Sequence, residues 1–314
     1  MKRKAVIISL SGTKLTKIEK ELIRKQKPWG IILFKRNIKS LNQIIGLIKK
    51  IRKFSKDPKF PIIIDEEGKT VSRLRKIINH NVSQKLFGDI YKHNPKTAVI
   101  IYKNYINNLT FLLKKIGINI NTVPVLDVIR QNTHKIIGNR SFSNNPHIVK
   151  KLGQLCTNQY KLNKIGTVIK HIPGHGCASL DSHLKTPKVK LNYKELNKID
   201  FFPFKSVSSQ FAMTAHILYS KIDKDNVATF SKKIISQIIR KKIGFKGILI
   251  SDDISMKALS KNLVLNAKNA LNSGCNLVLH CNGKIHESRN LLRNLGRIDK
   301  FTQKKTYQFY EFLR

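Results

Sequence analysis

The sequence has few acidic residues: Asp and Glu total 18 of 314 residues, whereas Lys and Arg total 61. A net charge of +43 ordinarily suggests nucleic acid or another polyanion as partner. However, the basic residues are scattered over every segment, and Lys, Ile and Asn, whose codons are AT-rich, are all abundant. Drift in an AT-rich genome explains this bias without a binding surface, so we expect no specific nucleic-acid partner.

Cysteine and long apolar runs are also scarce. The four cysteines form no CxxC pair and no regular framework, so we expect free thiols in a reducing compartment. The apolar run Ala5–Leu10 is too short for a signal-peptide core or a membrane span. These features predict a cytoplasmic protein with no membrane partner.

Short apolar runs rich in Ile and Val alternate about eight times with longer stretches of helical periodicity. Near-continuous apolar runs are typical of parallel strands that are covered on both faces. The predicted strands are Ala5–Leu10, Gly30–Phe34, Pro61–Asp65, Ile118–Val123, Thr167–Lys170, Phe211–Thr214, Gly247–Ser251 and Asn276–His280. The predicted helical stretches are Leu41–Phe54, Thr97–Ile116, Pro146–Asn163, Ser231–Ile243 and Leu263–Ser273. Helix stops are expected at Gly117, Gly166, Gly244 and Gly274.

This alternation predicts an α/β fold, a (β/α)8 TIM barrel, with an open doubly wound sheet as the alternative. No Pro/Gly/Ser-rich linker divides the chain, and about one helical stretch, Ile285–Arg314, follows the eighth strand. We therefore expect a single catalytic domain over residues 1–314 and a monomer.

Ionisable residues cluster at the carboxyl ends of the predicted strands, which is the face that carries the chemistry in barrel enzymes. They are Asp65, Asp127, Lys170, His171, His216, Asp252 and His280.

The segment Lys170–His183 contains three histidines and an aspartate, and its proline and glycines preclude a regular helix. We expect a loop that can move. One interpretation is a zinc site formed by His171, His175 and His183. Another is a general acid/base at His183 that Asp181 orients. A structural cluster of hydrogen-bonded histidines is the third.

Two acids, Asp252 and Asp253, directly follow the predicted strand Gly247–Ser251. A carboxylate at this face can attack an anomeric carbon and form a covalent glycosyl intermediate. Alternatively, both acids cap the N-terminus of the next helix.

Another strand ends in three consecutive acids that begin with Asp65, and Arg73 follows. These side chains are candidates for binding sugar hydroxyls, and Arg140 is a further candidate. The alternatives are a solvated loop with an ordinary salt bridge and a simple surface arginine.

Together these segments resemble the bacterial β-N-acetylhexosaminidases of glycoside hydrolase family 3. The similarity runs from Trp29 to Asn282 and comprises the motifs WGIILFKRN, IDEEGKTVSRLR, INTVPVLDV, IGNRSF, KHIPGHGCASLDSH, AMTAHILYSKID, GILISDDISMKAL and SGCNLVLHCN. The resemblance implies a (β/α)8 barrel and retaining hydrolysis without a cofactor or a metal.

The resemblance also implies roles for individual residues. Asp252 matches the nucleophile, and His183 matches the proton donor and acceptor, with Asp181 as its partner. The sugar-binding positions match Asp65, Arg73, Arg140, Lys170 and His171. The implied substrate is a muropeptide in which N-acetylglucosamine is linked to 1,6-anhydro-N-acetylmuramic acid. A phosphorylase that uses the same residues and a basic nucleic-acid-binding protein are the alternative functions.

The chain departs from the family where EGGRV is common, because it has Lys69 and Thr70 after Gly68. Lysine tolerates positive φ poorly. We therefore expect an altered backbone in the loop between Asp65 and Arg73.

Overall fold

A computed structural model describes residues 2–180, 186–259 and 262–314. Ten strands occur in these ranges: β1 (Lys4–Ser9), β2 (Pro28–Leu33), β3 (Ile62–Ile64), β4 (Ile120–Asn121), β5 (Gly166–Ile172), β6 (Lys188–Val189), β7 (Phe211–Thr214), β8 (Leu218–Tyr219), β9 (Ile248–Asp253) and β10 (Leu277–His280). Eight of them close a parallel barrel in the order β1-β2-β3-β4-β5-β7-β9-β10, and β6 pairs with β8 outside it. The predicted (β/α)8 barrel is confirmed, and the open doubly wound sheet is wrong.

Each of the eight predicted strands overlaps one barrel strand. The apolar runs are nearly continuous because both faces are covered: all six residues of β2 and all seven of β5 are buried. Strand β1 pairs with β10 in the register Ile7 to Leu279, which completes the barrel. Burial on both faces is thus the physical origin of the sequence pattern.

The helices that surround the barrel have local start and stop signals. They are α1 (Lys17–Glu21), α2 (Leu41–Ser55), α3 (Gln84–His93), α4 (Pro95–Ile116), α5 (Pro146–Leu162), α6 (Tyr193–Lys198), α7 (Leu263–Ser273), α8 (Ile285–Asn294) and α9 (Lys300–Phe312), with π-helical segments at Leu22–Gln26 and Ile234–Lys242. Ser40 caps α2 and Asn94 caps α4 by accepting a backbone N–H. None of the described helices is long and apolar enough to cross a membrane.

Three details of the helix prediction need correction. Gly117 and Gly274 end α4 and α7 with φ of 96° and 113°, but Gly166 is the first residue of β5 and stops no helix. The stretch predicted from Ser231 is π-helical and begins at Ile234. Two helices, α8 and α9, follow the last strand instead of one.

The barrel interior is apolar toward the amino ends of the strands. Residues that alternate along the strands, such as Ile248 and Ile250, form an inner cluster with Trp29 and Phe211. Helix α9 covers this end of the barrel, where Phe309 packs on Phe211 at a ring-centroid distance of 5.1 Å. The amino end is therefore filled by side chains, and polar residues collect at the carboxyl end.

Two helical glycines offer a matched test of the packing. A Cβ on Gly88 in α3 would lie 1.7 Å from the carbonyl oxygen of Phe142, whereas nothing lies within 4 Å of a Cβ on Gly46 in α2. We expect Gly88→Ala to lower the free energy of unfolding by about 1–3 kcal/mol through overpacking. Gly46→Ala should raise it by about 0.5–1 kcal/mol through helix propensity. Urea unfolding of both variants measures the difference, and equal effects would contradict the packing of α3.

Candidate active site

A cavity opens at the carboxyl ends of the barrel strands. Six of the eight residues with predicted roles line it, and they are Asp65, Arg73, Arg140, Lys170, His171 and Asp252. The other two, Asp181 and His183, lie outside the described residues. Side chains from β3, β5, β9 and the loops after them therefore converge on one cavity, although they are far apart in the sequence.

Asp252 and Asp253 have different environments at the end of β9. Both residues line the cavity, and Asp252 Oδ1 accepts the Asp253 backbone N–H at 2.8 Å. The carboxylate of Asp253 accepts bonds from the backbone N–H and hydroxyl of Ser255 and from the backbone N–H of Cys281. The cap of α7 is Asn262, so the capping alternative is wrong for both acids.

Asp65 is the centre of a polar cluster at the end of β3. Its Oδ2 accepts from Arg73 at 2.5 Å, and its Oδ1 accepts from Lys170 Nζ at 2.6 Å and from the Thr122 hydroxyl at 2.5 Å. Burial alone would raise the pKa of Asp65, but Lys170 and Arg73 lower it well below its usual value. Asp65 is therefore an ionised acceptor with a fixed orientation.

Glu67 lies behind the cavity and connects two of the predicted sugar-binding residues. It accepts two bonds from the Arg140 guanidinium, at 2.7 and 2.9 Å, and its Oε1 lies 2.5 Å from Lys170 Nζ. All three side chains are at most 9% exposed. Arg140 is thus a buried ion-paired residue and not a surface arginine. We did not predict this role for Glu67, although its position in a run of three acids was visible in the sequence.

The loop from Asp65 to Arg73 is anchored by buried acids, and within it only Lys69 and Thr70 are exposed. Buried Glu66 accepts the backbone N–H of Arg73 at 2.7 Å, which helps to position that residue. The positive φ in the loop, 136°, falls on Gly68, and a Cβ there would lie 2.2 Å from the Val82 oxygen. Lys69 has no positive φ and is exposed. The backbone at Lys69 therefore does not have the expected strain, because the position in this loop that needs a glycine is Gly68, which is retained.

His171 is held by a carboxylate that follows β4. Its Nδ1 lies 2.7 Å from Asp127 Oδ2, and its Nε2 lies 3.4 Å from the Arg140 guanidinium. Burial alone would raise the pKa of Asp127, but His171 and His175 lower it. Burial lowers the pKa of His175 to about 4, so this ring is neutral near pH 7. Asp127 stood out in the sequence only as a polar residue at a strand end.

The first part of the loop that follows β5 is buried and hydrogen-bonded to other segments of the barrel. Residues 171–178 are buried except for Cys177, which is partly exposed. The carbonyl of Gly174 accepts from the Tyr219 hydroxyl at 2.5 Å, and that of Ala178 accepts from the His134 N–H at 3.0 Å. Two hydrogen bonds thus hold residues 174 and 178 against other parts of the chain.

The cavity lining also includes apolar side chains, among them Ile32, Phe34, Met213 and Leu279. The Arg73 guanidinium lies 5.0 Å from the centroid of the Phe34 ring, a cation–π contact that restricts the arginine. Sugars have apolar faces as well as hydroxyl groups. A cavity lined by both charged and apolar groups suits such a ligand.

The remaining histidines at the strand ends do not line this cavity. Buried His216 contacts the Thr229 hydroxyl and the Asp253 carbonyl, and buried His280 contacts Glu287. Within residues 2–180, 186–259 and 262–314, no group of three or more His, Cys, Asp or Glu could hold a metal ion. The zinc interpretation also requires His183, which lies outside these ranges.

A parallel barrel that gathers carboxylates, cations and histidines around a partly apolar cavity fits a glycoside hydrolase, and the comparison with known proteins identifies this class. Residues 3–304 match the glycosyl hydrolase family 3 N-terminal domain, and the chain belongs to this family.

Its relatives include bacterial β-hexosaminidases. That of Nitrosomonas eutropha is 31% identical over 282 residues, which cover 88% of this chain and 80% of the relative. That of Shewanella frigidimarina is 33% identical over 290 residues, which cover 89% and 82%. The crystal structure of native NagZ from Neisseria gonorrhoeae has a TM-score of 0.90 at 28% identity and covers 98% of this chain and 90% of NagZ.

The buried ion pairs of Glu67 predict a large effect of a small substitution. Glu67→Gln leaves Arg140 and Lys170 without the charge of that carboxylate, which should lower the free energy of unfolding by about 3 kcal/mol. The control is Asp89→Asn, which breaks the exposed Lys85–Asp89 pair and should cost less than about 0.5 kcal/mol. Urea unfolding near pH 7 compares the two variants. A loss for Glu67→Gln no larger than that for Asp89→Asn would contradict the proposed importance of the buried pairs.

Proposed function

We propose that the protein is a retaining β-N-acetylhexosaminidase that releases terminal β-linked N-acetylglucosamine. The observation that carries the proposal is the position of Asp252 in the cavity that Asp65, Arg73, Arg140, Lys170 and His171 also line. The relatedness to bacterial β-hexosaminidases supports the choice of substrate class.

In this proposal the five predicted sugar-binding residues of the cavity hold the sugar. The ionised carboxylate of Asp65 accepts hydrogen bonds from sugar hydroxyls, since its orientation is fixed by Arg73, Lys170 and Thr122. Lys170, Arg140 and Arg73 donate to hydroxyl and N-acetyl oxygens, and His171 contacts the same ring. Apolar side chains of the cavity, such as Phe34, pack against the apolar part of the sugar.

The reaction then has two steps with opposite proton transfers. Asp252 attacks the anomeric carbon and forms a glycosyl ester, while protonated His183 gives its proton to the leaving oxygen. Neutral His183 next takes a proton from water, which attacks the anomeric carbon and releases Asp252. Asp181 orients His183 and stabilises its charged form, and the ordinary histidine pKa near 6.5 suits both roles.

The finer assignments are also proposals. We infer that the substrate is a muropeptide with N-acetylglucosamine on 1,6-anhydro-N-acetylmuramic acid, as in peptidoglycan recycling for cell-wall growth and division. We also propose a cytoplasmic monomer with one catalytic domain over residues 1–314. All four cysteines are free thiols in the structure, as a reducing compartment requires.

The nucleophile is tested by substituting the two adjacent acids separately. Asp252→Asn should lower kcat for a chromogenic β-N-acetylglucosaminide by at least about 10³-fold, because it removes the attacking group. Asp253→Asn, whose carboxylate contacts Ser255 and Cys281, should change kcat by less than about tenfold. Wild-type turnover in Asp252→Asn would refute the assignment.

Assays with and without phosphate distinguish hydrolysis from phosphorolysis, because only a phosphorylase forms the sugar 1-phosphate.

The proton donor is tested by varying the leaving group. His183→Ala should slow substrates with poor leaving groups by about 10²–10⁴-fold, because these need protonation, and it should slow good leaving groups much less. A series of aryl glycosides of increasing phenol pKa measures this dependence. Equal losses across the series would count against a proton-donor role.

A further inference from the structure

The carboxylate of Asp127 makes three hydrogen bonds to two residues, His171 and His175, and these bonds divide between its two oxygens. Oδ1 accepts the backbone N–H of His171 at 3.2 Å and that of His175 at 2.6 Å. Oδ2 lies 2.7 Å from the ring nitrogen Nδ1 of His171. Asp127 is fully buried, so this carboxylate has no access to solvent. One oxygen therefore anchors the backbone of the loop, and the other contacts a ring that lines the cavity.

The neighbours of His171 determine which of its ring nitrogens carries the proton. An ionised carboxylate only accepts hydrogen bonds, so Nδ1 beside Asp127 must carry a proton. A guanidinium only donates, so Nε2 beside Arg140, at 3.4 Å, must offer its lone pair. Together, these contacts place the ring proton on Nδ1 and leave Nε2 without one. The contact with Arg140 is long, which leaves the lone pair of Nε2 available to a hydroxyl in the cavity.

We propose that Asp127 is a positioning residue that fixes His171 in the Nδ1–H tautomer, so that Nε2 accepts a hydrogen bond from a substrate hydroxyl. The proposal rests on the proposed function for the identity of the substrate. The tautomer itself depends only on the contacts within the protein. His171 is then an acceptor in the sugar site, in contrast to the donors Lys170 and Arg140.

Asp127→Asn separates the two tasks of this side chain. Its retained oxygen can still accept the two backbone N–H groups, so the loop stays anchored. Its new amide NH₂ group replaces Oδ2 and can only donate to His171 Nδ1, which moves the ring proton to Nε2. That proton then faces the N–H groups of Arg140, and the acceptor for the substrate is lost.

The test combines a measurement of the tautomer with kinetics. In ¹⁵N-histidine spectra, the wild-type His171 resonances, assigned by comparison with His171→Gln, should show a protonated Nδ1, and those of Asp127→Asn a protonated Nε2. The variant should lose about tenfold to 150-fold in kcat/KM for a chromogenic β-N-acetylglucosaminide, as loss of a hydrogen bond to a buried partner predicts. Its thermal unfolding temperature should stay close to that of the wild type, whereas that of Asp127→Ala should fall, because alanine removes the anchor of the loop.

A matched control is Asp200→Asn, because Asp200 is also a buried carboxylate behind this loop but pairs with Arg130 instead. It should leave the His171 tautomer and kcat/KM near the wild-type values, even if the protein is less stable. A wild-type His171 that carries its proton on Nε2, or an Asp127→Asn variant with wild-type kcat/KM, would overturn the proposal. The spectrum of the wild type determines the tautomer of His171 even if the Asp127→Asn variant does not fold. Absence of N-acetylglucosamine release by the wild type would instead refute the proposed function and leave the tautomer intact.

Discussion

The site depends on the pairing of buried carboxylates with the cations and the histidine that face the cavity. Asp65 and Glu67 together hold Lys170, and Glu67 also holds Arg140. Burying a lone cation would be costly, whereas a buried pair with good geometry satisfies both charges and fixes both side chains. Asp127 fixes the orientation of His171 through a hydrogen bond with its ring Nδ1. The groups that reach the cavity are therefore oriented before a ligand arrives, which reduces the cost of binding and of reaching the transition state.

This arrangement also explains how a chain with only 18 acidic residues maintains a structured site. Asp65, Glu66, Glu67 and Asp127 are concentrated behind or within one cavity, where each makes several specific bonds. Most lysines, by contrast, are exposed and scattered over the surface. A general bias toward lysine is tolerated at the surface, because it changes solubility more than fold. In the cavity, by contrast, Arg73, Arg140 and Lys170 each pair with a specific carboxylate.

Much of the fold was predictable because burial on both faces gives parallel strands a recognisable composition. All eight barrel strands were found in this way, and the strand ends located the cavity. The roles of Glu67 and Asp127 were not predictable from periodicity, because they depend on which side chains meet across the barrel. Glu67 is 73 residues from Arg140, and Asp127 is 44 residues from His171. The glycine pattern was similarly ambiguous at Lys69, since only the backbone angles show which glycine a turn requires.

The packing of helix α9 against the amino end of the barrel has a consequence for how the enzyme would handle its substrate. Trp29, Phe211 and Phe309 occupy that end, and the indole of Trp29 donates to Thr306 on α9. Among the described residues, these side chains fill the amino end of the barrel, so a ligand reaches the cavity from the carboxyl end. On the proposed function, only a chain end can enter, so cleavage is restricted to the terminal sugar. The departing portion must leave before water reaches the ester, and free N-acetylglucosamine, the last to exit, should compete with incoming substrate.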